Sequence, residues 1–201
     1  MKTTTILSAL ALAATNTLAA PLEARHDLNS PFELYVTYTN SQGYLHGSLQ
    51  ANGGNFWINK NSSSYCPSSI GSSCPSSNLT TFIGSNPAGT LSLNVAVPGG
   101  QQVYIAPNGL LSYTVAHSAN IPAGSITSGL VANTGNNLFN KFYSFWLCNE
   151  AGEDTEAYRI WLAYRNVEGI QLQNGSKGNN TCSLVNLNAR DVKTGATAWQ
   201  Y

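Results

Sequence analysis

Apolar residues recur at every second position in short runs along this chain, and no long segment repeats them at helical spacing. A period of two puts successive side chains on opposite faces of an extended strand, so the pattern demands sheet with one dry face. From Phe32 to Thr39, Leu34, Val36 and Tyr38 alternate with Tyr35, Thr37 and Thr39. A second run, Asn55 to Asn59, follows Gly53-Gly54. Leu91 to Val97 sets Leu91, Leu93, Val95 and Val97 against Ser92, Asn94 and Ala96 until Pro98-Gly99-Gly100 stops it. The clearest hairpin runs from Gln102 to Ala106, turns at Pro107-Asn108-Gly109 and returns along Leu110 to Val115. There proline presets φ, and Asn or Gly takes the positive-φ position. Phe142 to Cys148 is apolar on both faces, as in a central strand; Tyr158 to Tyr164 alternates again, and Ala198 to Tyr201 reads as a closing segment. The expectation is an all-β domain of about eight to ten strands, a sandwich or partly closed barrel. A jelly-roll-like arrangement is favoured, with a β-trefoil as the alternative.

The amino-terminal end carries an address. Met1-Lys2 is a short positive start, Ile6 to Ala14 is a run of small and apolar residues, and Thr17-Leu18-Ala19 offers small residues for signal peptidase. Residues 1–19 therefore read as a signal peptide, residues 20–25 as a short pro-segment trimmed after Arg25, and residues 26–201 as a single β domain. The apolar run is too short to span a bilayer, and the expected product is released rather than anchored.

Only 9% of the chain is charged, against about 25% in an average protein. Nine scattered Lys and Arg residues do not build the counterion-replacing surface that nucleic acid requires, so no nucleic-acid partner is expected. Polarity comes instead from Ser, Thr, Asn, Gln and Gly. Asn-x-Ser/Thr acceptors stand at Asn61, Asn78, Asn174 and Asn179. Two of them flank a loop that writes Cys-Pro-Ser-Ser at Cys66 and again at Cys74.

Four cysteines in a secreted chain are most simply two disulfides. Three pairings exist, and Cys66–Cys74 with Cys148–Cys182 is favoured because the first two share one Pro/Ser/Gly loop. A zinc or redox site would want Cys-x-x-Cys spacing or neighbouring His ligands.

Several segments resemble the PhiA-like group of small secreted cell-wall proteins of filamentous fungi, named for the phialide and described as IgE-binding antigens. They are Phe56-Trp57-Ile58, the stretch from Ser64 to Pro75, Val97 to Pro107, and Leu111-Ser112-Tyr113-Thr114. Further on come Ala116-His117-Ser118, Ile121 to Ser125, Cys148, Cys182 and the closing Ala198-Trp199-Gln200-Tyr201. The resemblance spans most of residues 26–201. It implies a wall-associated protein used in building conidium-forming cells, in contact with wall polysaccharide or wall proteins. It supplies no catalytic set and no cofactor.

Enzymatic readings have little to stand on. A serine hydrolase would show a Gly-x-Ser-x-Gly elbow, which the chain lacks. Glu150, Glu153, Asp154 and Glu156 supply carboxylates around Gly152. They read as a solvated loop, with a calcium site or a glycosidase acid and base as the functional alternatives. Trimming after Arg25 would expose His26, whose amine and imidazole could join His117 or His46, with Tyr113 near, in the copper site of a polysaccharide oxygenase. Against that, His117 reads as a turn residue ending the Leu110–Val115 strand.

A binding module is the stronger rival. In the Tyr158–Tyr164 strand, Arg159, Trp161, Ala163 and Arg165 share one face. Trp161 between two arginines is either an open platform for a wall glycan or a ring covered by a second layer, with the arginine heads reaching round to water. Trp57, Trp146 and Trp199 sit in apolar runs and read as core.

Overall fold

The computed structural model describes residues 28–40, 43–85, 88–132, 137–140, 143–149, 157–164 and 182–201. Among these residues thirteen strands and one 3-10 turn, Gly71–Ser73, are present and no α-helix. In chain order the strands are β1 (Phe32–Asn40), β2 (Gly43–Ser48), β3 (Gln50–Asn52), β4 (Asn55–Ile58) and β5 (Phe82–Ser85). Then follow β6 (Thr90–Leu93), β7 (Gln101–Ile105), β8 (Leu111–Tyr113) and β9 (Leu130–Ala132). The last four are β10 (Asn137–Asn140), β11 (Tyr143–Asn149), β12 (Tyr158–Tyr164) and β13 (Cys182–Asp191). The number exceeds the expected eight to ten because several strands have only three or four residues, too short to show a period.

Nine strands form a closed antiparallel ring, in the order β1-β5-β6-β7-β8-β4-β12-β11-β13 and back to β1. Closure is made between β1 and β13, from Phe32 opposite Asp191 to Thr37 opposite Asn186. Two seams are thin among the described residues: Phe32 opposite Phe82 joins β1 to β5, and Asn55 opposite Ser112 joins β4 to β8. The barrel is thus two curved sheets meeting at narrow joints. The remaining strands are additions to it: β2 on β1, β3 on β4, and β10 with β9 on β13.

The interior is filled by side chains. Phe32 stacks on Phe82 with centroids 6.0 Å apart, and Phe56 packs against Phe82 and Tyr113 at 5.3 and 5.2 Å. Leucine, isoleucine and valine from the same alternate positions complete one continuous apolar cluster. The period-two pattern is what delivers them: Val103 and Ile105 from β7, Ile160 and Leu162 from β12, Phe145 and Leu147 from β11 all point inward.

The expected run from Leu91 to Val97 is broken. The strand ends at Leu93, where Asn94 donates its backbone N–H to the Thr81 carbonyl and its side-chain amide to the Gly195 carbonyl. After this bend, Ala96 and Val97 donate to the carbonyls of Ala198 and Trp199. The closing segment therefore enters as a parallel bridge, Val95 beside Ala198, rather than as a full strand. The Pro107-Asn108-Gly109 turn forms, with Gly109 at φ 91°. A Cβ there would also lie 2.5 Å from the Leu162 carbonyl oxygen, so the position is closed to every other residue on two counts.

Candidate functional site

Alternation leaves one face of β4, β12, β11 and β13 pointing away from the barrel interior, and that face carries three of the four tryptophans. On β4, Phe56 and Ile58 point inward, which turns Trp57 outward. It is nonetheless buried, because Arg159 and Lys60 cover it: Arg159 Cζ lies 4.2 Å and Lys60 Nζ 3.8 Å from its ring centroid. Its indole N–H donates to the Asn52 carbonyl at 3.0 Å. Each cation makes a favourable cation–π contact with the indole, and together they take the ring out of solvent.

One register row runs Trp57, Arg159, Cys148, Cys182 across the four strands. The neighbouring row pairs Trp161 with Trp146 and Trp146 with Leu184. Cys148 and Cys182 are directly opposite, with Cα atoms 4.1 Å apart, and are joined by a disulfide. Leu110, Trp161, Ala163 and this disulfide make a small apolar cluster of their own, with Ala106 and Trp146 packed against it.

Trp161 keeps 8% of its surface, so of the two arrangements weighed for it the structure has the covered ring. The cover includes Leu110, at the end of the 107–109 turn, which is pinned to β12 by the Leu162 N–H donating to the Gly109 carbonyl at 2.7 Å. Of the three tryptophans read as core, Trp57 is buried as expected, although on the outer layer rather than in the inner cluster. Trp146 and Trp199 are half-buried. A four-residue strand was too short to fix which face Trp57 takes. The most open apolar group on this face is Leu184, 55% exposed beside Trp146. Arg165 lies outside the described residues.

The serine-rich loop is closed by a Cys66–Cys74 disulfide, Cα atoms 6.3 Å apart. Asn61 and Asn78 are exposed at either side of it. Asn174, Asn179, the signal and pro-segments, His26 and the Glu150 to Glu156 segment lie outside the described residues. His46 lies in β2, on a strand whose side chains there are not described. His117 sits in an exposed turn at φ 59°, closed by Ser118 N–H donating to the Val115 carbonyl. Among the described residues no three His, Cys, Asp or Glu side chains form a group able to hold a metal ion. No helix among them is long and apolar enough to cross a membrane.

The buried polar groups are structural. Gln101 donates its amide to the carbonyls of Thr114 and Tyr201 at 2.9 and 2.8 Å and accepts the Tyr201 N–H at 2.7 Å. The Tyr201 hydroxyl donates to the Leu79 carbonyl at 2.9 Å, and Thr81 and Thr197 hydroxyls meet at 3.0 Å. Burial pushes the Tyr113 phenol up to about 12, and it also raises that of Tyr201.

Residues 34–201 match the model of a family described as PhiA-like secreted protein. A protein of Arthroderma benhamiae described as an uncharacterized secreted protein is 33% identical, over 76% of this chain and 76% of its own. No solved structure matches the chain.

Proposed function

The chain belongs to the family of PhiA-like secreted proteins, and from that premise we propose that it is a wall-associated fungal glycoprotein that works through its surface, without catalysis. The observation that carries this reading is the packed interior: Phe32, Phe56, Phe82 and Tyr113 fill the barrel that in other β-barrels holds a ligand. What remains to meet a partner is a weakly charged exterior rich in amides and hydroxyls. Such a surface suits neutral wall polysaccharide or other wall proteins in conidium-forming cells.

The test is to isolate the protein secreted by its own host, measure its intact mass, and incubate it with chitin, β-glucan and wall fractions. Retention on wall material without polymer cleavage supports the proposal. Free recovery in the medium with no retention overturns it. So does a His26 amino terminus carrying one copper together with polysaccharide oxidation.

A second reading, direct glycan binding, draws on Trp146 and Leu184 side by side on the outer face. A sugar ring can stack its apolar face on the indole of Trp146, with Leu184 extending the apolar surface beside it. Leu184→Ser should then weaken retention on glycan while the melting temperature holds.

A further inference from the structure

Both described glycan acceptors are anchored on one short edge strand. β3 pairs with β4, Ala51 opposite Phe56, and among the described residues no strand pairs with its other edge. That edge is nonetheless closed. The Ala51 N–H donates to Thr80 Oγ1 at 2.9 Å, and the Ala51 carbonyl accepts the Ser63 N–H at 3.0 Å. Thr80 Oγ1 in turn donates a hydrogen bond to Gln50 Oε1 at 3.3 Å, and Asn52 Nδ2 donates to the Asn61 carbonyl at 2.9 Å.

Thr80 is 1% exposed, whereas Asn78 is exposed two residues earlier. Asn78-Leu79-Thr80 is an acceptor defined by its asparagine and by the hydroxyl two residues on. The same hydroxyl cannot be presented to a transferase while it caps β3 from a buried position. The other acceptor, Asn61-Ser62-Ser63, differs in that Ser63 is exposed.

We propose that Asn78 carries an N-linked glycan and accepts it only before the β3 edge closes, so that folding ends the modification window. The Asn78 amide nitrogen bonds to C1 of a lipid-pyrophosphate-linked oligosaccharide. The C1–O bond breaks with its electrons going to the pyrophosphate, and the amide loses one proton to a base of the transferase. A glycan set down there stands beside the β3 edge and adds bulk where Thr80 and Ser63 already close it. This deepens the glycoprotein part of the proposed function.

Two measurements test it. Glycopeptide mass spectrometry of the host-secreted protein should find Asn78 occupied; an unmodified Asn78 overturns the proposal. Full-length protein made without glycans is then given to purified oligosaccharyltransferase with lipid-linked oligosaccharide, folded or reduced and unfolded. Asn78 should be modified at least tenfold more in the unfolded chain, and equal modification overturns the window. Bare Asn78 in a wall-retained protein would sink this inference alone. Occupied Asn78 in a protein that never associates with wall would sink only the wall function.

Discussion

Glu33 on β1 and Arg190 on β13 stand directly opposite each other where those strands close the barrel, and the guanidinium hydrogen-bonds the buried carboxylate. Ser48 Oγ donates to the other carboxylate oxygen at 2.7 Å, so both oxygens are held. Arg190 itself is 56% exposed and lies 5.4 Å from the Tyr35 ring. Charged hydrogen bonds contribute about 1.5–3 kcal/mol, but water at the exposed guanidinium weakens this one. Arg190→Ala should therefore destabilise by about 1–2 kcal/mol in urea unfolding, and Arg190→Lys by less. An unchanged midpoint for Arg190→Ala would remove the pair from any role in closure.

The two disulfides should differ in weight. Cys148–Cys182 closes a separation of 34 residues and is packed into the outer apolar cluster; Cys66–Cys74 closes 8 in an exposed loop. Loop entropy alone assigns about 4 kcal/mol to the first and about 2.5 kcal/mol to the second. The double replacement Cys148→Ser/Cys182→Ser should lower the melting temperature more than Cys66→Ser/Cys74→Ser. The reverse order in calorimetry would mean that the exposed loop, and not the sheet, limits stability.

From a fully buried position Gln101 holds the closing segment by two hydrogen bonds to Tyr201 and ties it to the end of β8 by a third, to Thr114. Gln101→Leu keeps the volume and leaves those backbone groups unpaired, at about 1–3 kcal/mol for each one that water cannot reach. A loss of roughly 2–4 kcal/mol is expected. Amide exchange should accelerate at Ala96, Val97 and Tyr201 before it changes in β7. Uniform acceleration across the barrel would show that the segment does not open separately.

The inner wall of the barrel was legible in the sequence because alternation in β1, β7 and β12 is long enough to fix a phase. Where runs are short or interrupted, the deciding interactions are distant in sequence. Asn94 ends β6 by bonding Gly195, and Ala198 approaches Val95 from the far end of the chain. The outer layer was hidden for a similar reason: β4 has four residues, and only pairing with β12 sets Arg159 over Trp57. β2, with a glycine at each of Gly43 and Gly47, shows no apolar period at all. Nothing near Glu33 in sequence marks it as buried, because its partner Arg190 lies on the last strand.

Trp161 separates a structural ring from an open platform. It is buried against Leu110, Ala163 and the Cys148–Cys182 bridge, and large-to-small changes at such sites cost about 3–5 kcal/mol. Trp161→Ala should lower stability by that order, with any loss of glycan retention following from unfolding. Half-buried Trp146 should cost less when truncated. A Trp161→Ala protein that melted like the parent but lost retention would restore the platform reading.

Alkaline titration should expose the barrel's buried phenol. Tyr113 packs on Phe56 and accepts the Gly54 N–H at 3.1 Å. Burial is the main cause that pushes its pKa from 10.0 up to about 12; the Gly54 bond opposes the shift and Tyr201 adds to it. The folded chain therefore holds this proton more tightly than the unfolded chain. Its stabilising contribution is complete below pH 10 and is lost as the pH rises through about 12. Two pH units correspond to roughly 2.7 kcal/mol. Tyr201, raised in the same direction by burial, adds to the loss. Tyr113→Phe keeps the ring and removes the titrating group, so its unfolding free energy should fall less between pH 10 and 12. Parallel losses in parent and variant would mean that the phenol reaches water, and that the end of the barrel near Gly54 is open.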